Sequence, residues 1–189
     1  MMTAKASKGG GYNPWATYLC AREEARRRGD RRVGTEHLLL GLLRAPEVAQ
    51  VLGCDLGEAR EALDAMDRDA LVAVGIDRAL DAPPVPTREP ALGGGRAIVK
   101  AILTDHLPAT PVAKRVMEEA AKDRRHRRGS GAPWEPSPRW SRERVLTALL
   151  SLEAPDPGAA LLDALGIDRA AAGARLSEAI GGPEARDGR

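Results

Sequence analysis

Histidine and cysteine are the residues of this chain best suited to metal binding or nucleophilic catalysis, and both are scarce. His37, His106 and His126 lie in separate segments, with no second histidine or cysteine at the spacing of a ligand pair. Cys20 and Cys54 have no neighbouring His–Asp arrangement that would activate a thiol, so buried thiols are the simpler interpretation. We therefore expect no catalytic residue, no metal and no cofactor, and we do not expect an enzyme.

Two glutamates occupy matching places in similar ten-residue segments, GTEHLLLGLL beginning at Gly34 and SRERVLTALL beginning at Ser141. Each segment predicts a helix, with Thr35 and Ser141 as N-caps and with Glu36 and Glu143 in the first turn. A carboxylate at that place is stabilised by the helix macrodipole by about 0.3–1 kcal/mol. This structural role is enough to explain either glutamate, and contact with a ligand is the alternative.

Arginine is concentrated in two clusters, at residues 26–32 and 124–128, and a tryptophan lies in the proline-rich stretch after the second cluster. Such a run is typical of a solvated helix end, where the macrodipole favours cations. Binding of an acidic partner or of nucleic acid is the alternative, and a tryptophan in a loop is a candidate anchor for a partner. The candidate partner-binding residues are Arg124, Arg125, Arg127, Arg128 and Trp134.

The composition indicates a helical protein that does not enter a membrane. The 189 residues are 43% hydrophobic but only 3% aromatic, and phenylalanine is absent, which favours helices over sheets. No apolar run approaches the roughly 18 residues of a membrane span, and residues 1–11 lack the apolar core of a secretory signal. A net charge of +2 limits a nucleic-acid interpretation. We expect a cytoplasmic, all-α protein.

Proline and glycine divide the chain into two helical halves. Prolines followed by a glycine run predict a linker between the halves, because proline interrupts helices. The sequence Leu-Gly-Cys-Asp in the first half recurs as Leu-Gly-Ile-Asp in the second, so we predict two copies of a four-helix unit. The predicted regions are a tail at 1–11, a first repeat at 12–81, a linker at 82–96, a second repeat at 97–181 and a tail at 182–189.

Prolines, glycines and capping residues also predict where the helices begin and end. Thr110 followed by a proline predicts the start of a long helix, with the threonine as N-cap and the proline in the first turn. The leucines of the helix at 34–43 are too dense for one stripe, so we expect that helix to be buried nearly all round. The other predicted helices cover residues 14–28, 46–52, 56 onward, 98–103, 142–152, 158–165 and 168–180.

Two stretches of the chain are similar to a known domain. Residues 33–43, preceded by Arg-Glu-Glu-Ala-Arg at 22–26, resemble the Clp N-terminal repeat domain, which stands at the front of bacterial Clp protein-unfolding ATPases. Thr-Pro-Val-Ala-Lys-Arg-Val at 110–116 resembles the start of its second half. The resemblance covers residues 12–181 and implies an all-α fold of two pseudo-twofold-related four-helix repeats, packed as a single globular domain.

The same resemblance implies binding rather than catalysis. The chain has no Gly-x-x-x-x-Gly-Lys-Ser/Thr P-loop, so it is similar to a stand-alone, actinobacterial-type member without the ATPase module. Domains of this family bind substrates, adaptors and, in the Gram-positive branch, arginine-phosphorylated proteins. By position, the resemblance implies that Thr35 and Glu36 form one phosphoarginine-like site, and that Thr110 and Glu143 form a second.

We therefore expect a non-enzymatic protein-interaction module that delivers proteins to a Clp protease or withholds them from it. Its partners would be Clp subunits, adaptors or tagged substrates. In the second site Arg142 and Arg144 flank the glutamate, and they either pair with it or bind phosphate themselves. The alternative is a small helical regulator that binds DNA through the arginine clusters, with steep dependence on salt.

Overall fold

The computed structural model describes residues 14–75, 107–127 and 138–180, and these residues form eight helices and no strand. The all-α prediction is therefore confirmed for the described part of the chain. The boundaries of the two predicted repeats stay a prediction. The helices are α1 (Pro14–Arg28), α2 (Thr35–Leu43), α3 (Pro46–Leu52), α4 (Leu56–Ala73), α5 (Pro111–Arg127), α6 (Pro138–Leu150), α7 (Pro157–Ala164) and α8 (Arg169–Ile180).

The leucine-rich helix α2 lies at the centre of the first half and is buried on nearly every side, as its sequence predicts. Eight of its nine residues are buried, including Thr35 and His37. Helix α1 approaches it closely at Gly41, where an added methyl group would lie 2.8 Å from the backbone nitrogen of Ala21 and 3.0 Å from the carbonyl oxygen of Thr17. Glycine at this position lets the two helix backbones come together.

Helix α6 is the central helix of the second half, but it is less completely buried than α2. Val145, Leu146 and Leu149 are buried, whereas Thr147 is exposed. The helix packs against α5, α7 and α8 of its own half, and against α1 and α2 of the other. Its apolar side chains, together with Leu161 of α7, belong to the same core as the leucines of α2.

A short backbone pairing also joins the two halves. The amide of Val33 donates to the carbonyl oxygen of Pro108 at 2.9 Å, and the amide of Thr110 donates to the carbonyl oxygen of Val33 at 2.8 Å. These bonds form an isolated parallel bridge between Val33 and Ala109. The loop that leads into α2 is therefore fixed beside the loop that leads into α5.

The prediction that Thr35 caps α2 is wrong. The N-cap is Gly34, and Thr35 is the first residue of the helix. Its hydroxyl donates to Oδ1 of Asp156 at 2.7 Å and accepts from the amide of Gly158 at 3.0 Å, at the start of α7. The sequence around Thr35 shows only its local capping options, whereas its hydroxyl bonds to residues of the other half of the chain.

The predicted start of α6 is also wrong. Ser141 is not an N-cap, because the helix begins at Pro138 and the backbone at Ser141 is already helical. Proline suits the first turn of a helix, since its missing N–H would have no partner there. The end of the proline-rich stretch therefore starts a helix instead of continuing as a loop. As a result Glu143 is the sixth residue of α6 and does not lie in its first turn.

Other helix ends agree with the sequence. Gly53 ends α3 in the left-handed region, with a φ of 75°, and Asp55 caps α4 by accepting from the amide of Glu58 at 2.9 Å. The hydroxyl of Thr110 caps α5 by accepting from the amide of Ala113 at 3.2 Å. The helix predicted from residue 158 begins one residue earlier, at Pro157.

Several predictions fall on residues outside the described ranges. They are the tails at 1–11 and 182–189, the linker at 82–96, the short helix at 98–103, Arg128 and Trp134. Arg124, Arg125 and Arg127 lie in the last turns of α5, so their predicted place at a helix end is confirmed.

Candidate binding site at the start of α2

Glu36 is held over the beginning of α2. It is the second residue of the helix, and its carboxylate turns back towards the N-cap, Gly34. A methyl group added to Gly34 would lie only 2.1 Å from Oε1 and 2.3 Å from Oε2 of Glu36. The carboxylate therefore occupies the space that a side chain at position 34 would fill. This places a negative charge beside the first N–H groups of the helix, which have no partner within the helix.

His37 lies between two carboxylates. Its Nδ1 is 2.9 Å from Oε1 of Glu36, and its Nε2 is 3.0 Å from Oδ2 of Asp30. Burial alone disfavours the charged ring, but the hydrogen bonds and negative charges of Asp30 and Glu36 outweigh that effect and raise the pKa of His37. The hydrogen bond to His37 in turn lowers the pKa of Asp30.

The protonation of His37 decides what its Nδ1 can do. The amide of Gly34 lies 3.1 Å from Nδ1, which accepts this hydrogen bond only when it carries no proton. When Nδ1 is protonated, it donates to Oε1 of Glu36 instead. Loss of the proton from Nδ1 thus releases one oxygen of Glu36 from its intramolecular partner.

The second carboxylate oxygen of Glu36 is the unusual atom of this site. Oε2 is buried and has no hydrogen-bond partner among the residues that the structure describes, while 15% of the side chain is exposed. Buried polar atoms are nearly always hydrogen-bonded, so an unpaired carboxylate oxygen is a vacant acceptor. Its chemistry suits a charged N–H donor such as a guanidinium group.

The two threonines predicted beside the glutamates have other contacts. The hydroxyl of Thr35 is engaged by Asp156 and Gly158, away from the carboxylate of Glu36. Thr110 lies next to Val33, and so near the start of α2 rather than near Glu143. The structure thus places the start of α5 beside the loop that leads into α2.

Glu143 lies further along the molecule, in a groove of about 490 Å³ between α5 and α6 that it shares with Glu119. Glu119 is nine residues beyond Thr110 on α5, or about 13 Å along a helix that rises about 1.5 Å per residue. Glu143 also borders a smaller cavity of about 50 Å³ between α3, α6 and α8, whose apolar walls include Leu146 and Leu176.

Of the two arginines that flank Glu143, Arg142 forms an ion pair with Glu47 of α3. Arg144 borders the larger groove. Glu143 is therefore part of a broad surface between helices. Its Oε2 is buried, as Oε2 of Glu36 is, but Glu143 does not lie at the start of a helix.

Sequence reasoning missed one buried acid, Glu24 of α1, which is fully buried and contacts three arginines. Its place was detectable, because Glu24 lies between Ala21 and Ala25 on the side of α1 that faces the core, and both alanines are fully buried. Sequence reasoning also missed Asp30 as the partner of His37.

Comparison with known proteins supports the fold. No protein-family model and no curated protein sequence matches the chain. A solved structure, the N-terminal domain of the caseinolytic protease associated chaperone ClpD from Arabidopsis thaliana, is similar with a TM-score of 0.51 and 21% sequence identity. The match covers 95% of this chain and 100% of that domain. The chain therefore has a fold like that of a Clp N-terminal domain.

The described ranges contain neither a membrane-spanning helix nor a cluster of metal-binding side chains. No helix there is long and apolar enough to cross a membrane. No group of three or more histidine, cysteine, aspartate or glutamate side chains is arranged to hold a metal ion within residues 14–75, 107–127 and 138–180.

Proposed function

We propose that this protein is a non-enzymatic, cytoplasmic interaction module that binds arginine-phosphorylated segments of other proteins at the start of α2. It would deliver these proteins, or adaptors that carry them, to a Clp protease, or withhold them from it. The observation that carries the proposal is the buried, unpaired oxygen of Glu36 beside the first turn of α2.

The chemistry of a phosphoarginine suits this arrangement. Its guanidine N–H groups would donate to the carboxylate of Glu36, and its phosphate would accept from the first N–H groups of the helix. Gly34 leaves the room in which the carboxylate lies. The fold of a Clp N-terminal domain supports the choice of protein partners, because the ClpD domain belongs to a protease-associated chaperone.

The test is calorimetric titration of the purified chain with free phosphoarginine and with an arginine-phosphorylated protein. We expect saturable binding that weakens about tenfold or more in Glu36→Gln, since a hydrogen bond to a charged group contributes about 1.5–3 kcal/mol. Glu61→Gln is the matched control, because Glu61 is exposed on α4, and it should bind like the unaltered protein.

A third variant, Glu143→Gln, decides whether the second glutamate takes part. Glu143 lies beyond the first turn of α6, so we expect its loss to change the affinity less than the loss of Glu36. Equal affinity of Glu36→Gln and the unaltered protein would overturn the proposed site. A pull-down with Clp subunits and adaptors tests the predicted partners separately.

DNA binding through the arginine clusters stays a prediction. In the first cluster Arg26 pairs with Glu23 at 3.2 Å, and Arg28 pairs with Asp64 at 2.5 Å, which leaves less positive charge for a phosphate backbone. A band-shift titration at low salt tests this alternative, and the absence of any shift would remove it.

A further inference from the structure

A second charged cluster lies away from Glu36, around the buried carboxylate of Glu24. We call it the arginine triad: Arg27 of α1, Arg44 directly after α2, and Arg60 of α4. Nη2 of Arg44 is 2.6 Å and Nη2 of Arg60 is 2.8 Å from Oε1 of Glu24. Nε of Arg27 is 3.5 Å from Oε2. Three separate elements thus bring guanidinium groups to one carboxylate.

The triad carries more positive charge than Glu24 neutralises. Three guanidinium groups against one carboxylate leave a charge of +2 on these four side chains. The neighbouring acid, Glu23, pairs with two other arginines of α1, Arg22 at 3.7 Å and Arg26 at 3.2 Å. The charge of Glu23 also acts on Arg44, but with Glu23 and its two arginines included, five guanidinium groups still face only two carboxylates.

Burial makes this excess charge significant. The side chains of Arg27, Arg44 and Arg60 are only 19%, 21% and 28% exposed, so solvent screens their mutual repulsion less than at an open surface. Glu24 itself stays ionised: burial alone raises its pKa, but the hydrogen bonds from Arg60 and Arg44 outweigh burial and lower it.

The hydrogen bonds show the same imbalance. Arg44 and Arg60 each donate two hydrogen bonds to Glu24, and a carboxylate offers about four acceptor positions. Three of these bonds go to Oε1 of Glu24, and one goes to Oε2, from Nε of Arg60. Nε of Arg27 is left buried without a hydrogen-bond partner among the described residues.

We propose that the arginine triad binds a phosphate group, which would supply the missing acceptor for Arg27 and balance the excess charge. The flat guanidinium fork matches the oxygens of a tetrahedral oxyanion better than a lysine does. The same chemistry is offered by inorganic phosphate and by a phosphoryl group on a partner protein. This site involves neither Glu36 nor Glu143, so the inference does not rest on the proposed function.

The test measures binding of inorganic phosphate, and separately of a phosphoserine peptide, to the full chain by calorimetry at constant ionic strength. Arg27→Gln is the informative variant, because Arg27 makes no hydrogen bond to Glu24 and its replacement leaves the other two arginines in place. We expect its affinity for phosphate to fall about tenfold. Arg68→Gln, an exposed arginine of α4, is the matched control and should bind normally.

Two further measurements separate the possible outcomes. Circular dichroism shows whether Arg27→Gln is folded, and Arg27→Lys keeps the charge but loses the planar fork, so an intermediate affinity is expected. Tighter binding of the peptide than of free phosphate supports a partner's phosphoryl group, and binding of phosphate alone supports a site for the free anion. Binding of neither ligand, or equal binding by Arg27→Gln and the unaltered chain, would overturn the proposal.

Discussion

The starts of α2 and α6 place the same residue type in two different environments. Each segment has a glutamate two residues after the position aligned with Gly34, but α2 begins at Thr35 and α6 begins at Pro138. Glu36 is therefore in the first turn of a buried helix, while Glu143 is the sixth residue of a helix whose side borders two grooves.

This difference shows that two residues can be aligned in sequence and still have different chemical environments. The unpaired N–H groups and the positive end of the macrodipole act within the first turn of a helix. A glutamate that lies further along the helix loses their contribution, even when the neighbouring leucines match.

The largest expected difference concerns the glycine of α2 and the alanine aligned with it in α6. Gly41→Ala would place a methyl group against backbone atoms of Ala21 and Thr17, so we expect a loss of about 3 kcal/mol in unfolding free energy, the upper end of the usual cost of overpacking. Ala148→Gly should cost only about 0.5–1 kcal/mol, through helix propensity. Urea denaturation measures both, and equal losses would contradict the close approach of α1 and α2.

The second difference concerns two threonines. Thr35→Val removes a hydroxyl that bonds to the carboxylate of Asp156 and to the amide of Gly158 across the two halves, and we expect a loss of about 1.5–3 kcal/mol. Thr147 of α6 is exposed and donates only to a carbonyl of its own helix, so Thr147→Val should stay within about 0.5 kcal/mol of the unaltered protein. If both variants lose the same stability, the hydroxyl of Thr35 does not link the halves.

The third difference is in the response to pH. The pKa of His37 is raised in the folded chain above its ordinary value of 6.5, so its contribution to stability is complete below that value. That contribution is lost as the pH rises through the folded pKa. Urea midpoints taken from below pH 6.5 upward should therefore fall in the unaltered protein and stay flatter in His37→Gln. Arg144 is the residue of α6 aligned with His37, and Arg144→Gln is the control that should keep the slope of the unaltered protein.

The smallest expected effect on stability concerns the N-cap. Gly34→Ala would displace the carboxylate of Glu36, which can swing away, so the loss in unfolding free energy should stay within about 1 kcal/mol. Binding of phosphoarginine should nevertheless weaken, because the carboxylate would leave its place at the helix start. Unchanged affinity would show that the position of this carboxylate does not matter for the ligand.

The sequence predicted what depends on neighbouring residues. The positions of prolines and glycines correctly predicted most helix ends, and the high density of leucines predicted the burial of α2. The failures at Thr35 and Ser141 have a common cause, since each looked like a local cap. The hydroxyl of Thr35 has its partners in the other half, and the proline at position 138 started the helix before Ser141 was reached.

The candidate site was only partly predictable for the same reason. The position of Glu36 in the first turn followed from the helix start, but the buried, unpaired state of Oε2 depends on how the carboxylate folds over Gly34. The arginine triad was not predictable, because Arg27, Arg44 and Arg60 come together only when three elements pack around Glu24. Contacts between residues that are distant in sequence produce no periodic pattern, so they cannot be predicted from the sequence in this way.

The parallel bridge between Val33 and Ala109 has a consequence for how the molecule opens. The amides of Val33 and Thr110 donate across the bridge, so neither is released while the two halves stay together. Hydrogen exchange at both amides should therefore require the same opening event and show the same free energy, although the two residues are far apart in sequence. The two loops would form one cooperative unit at the junction of the halves.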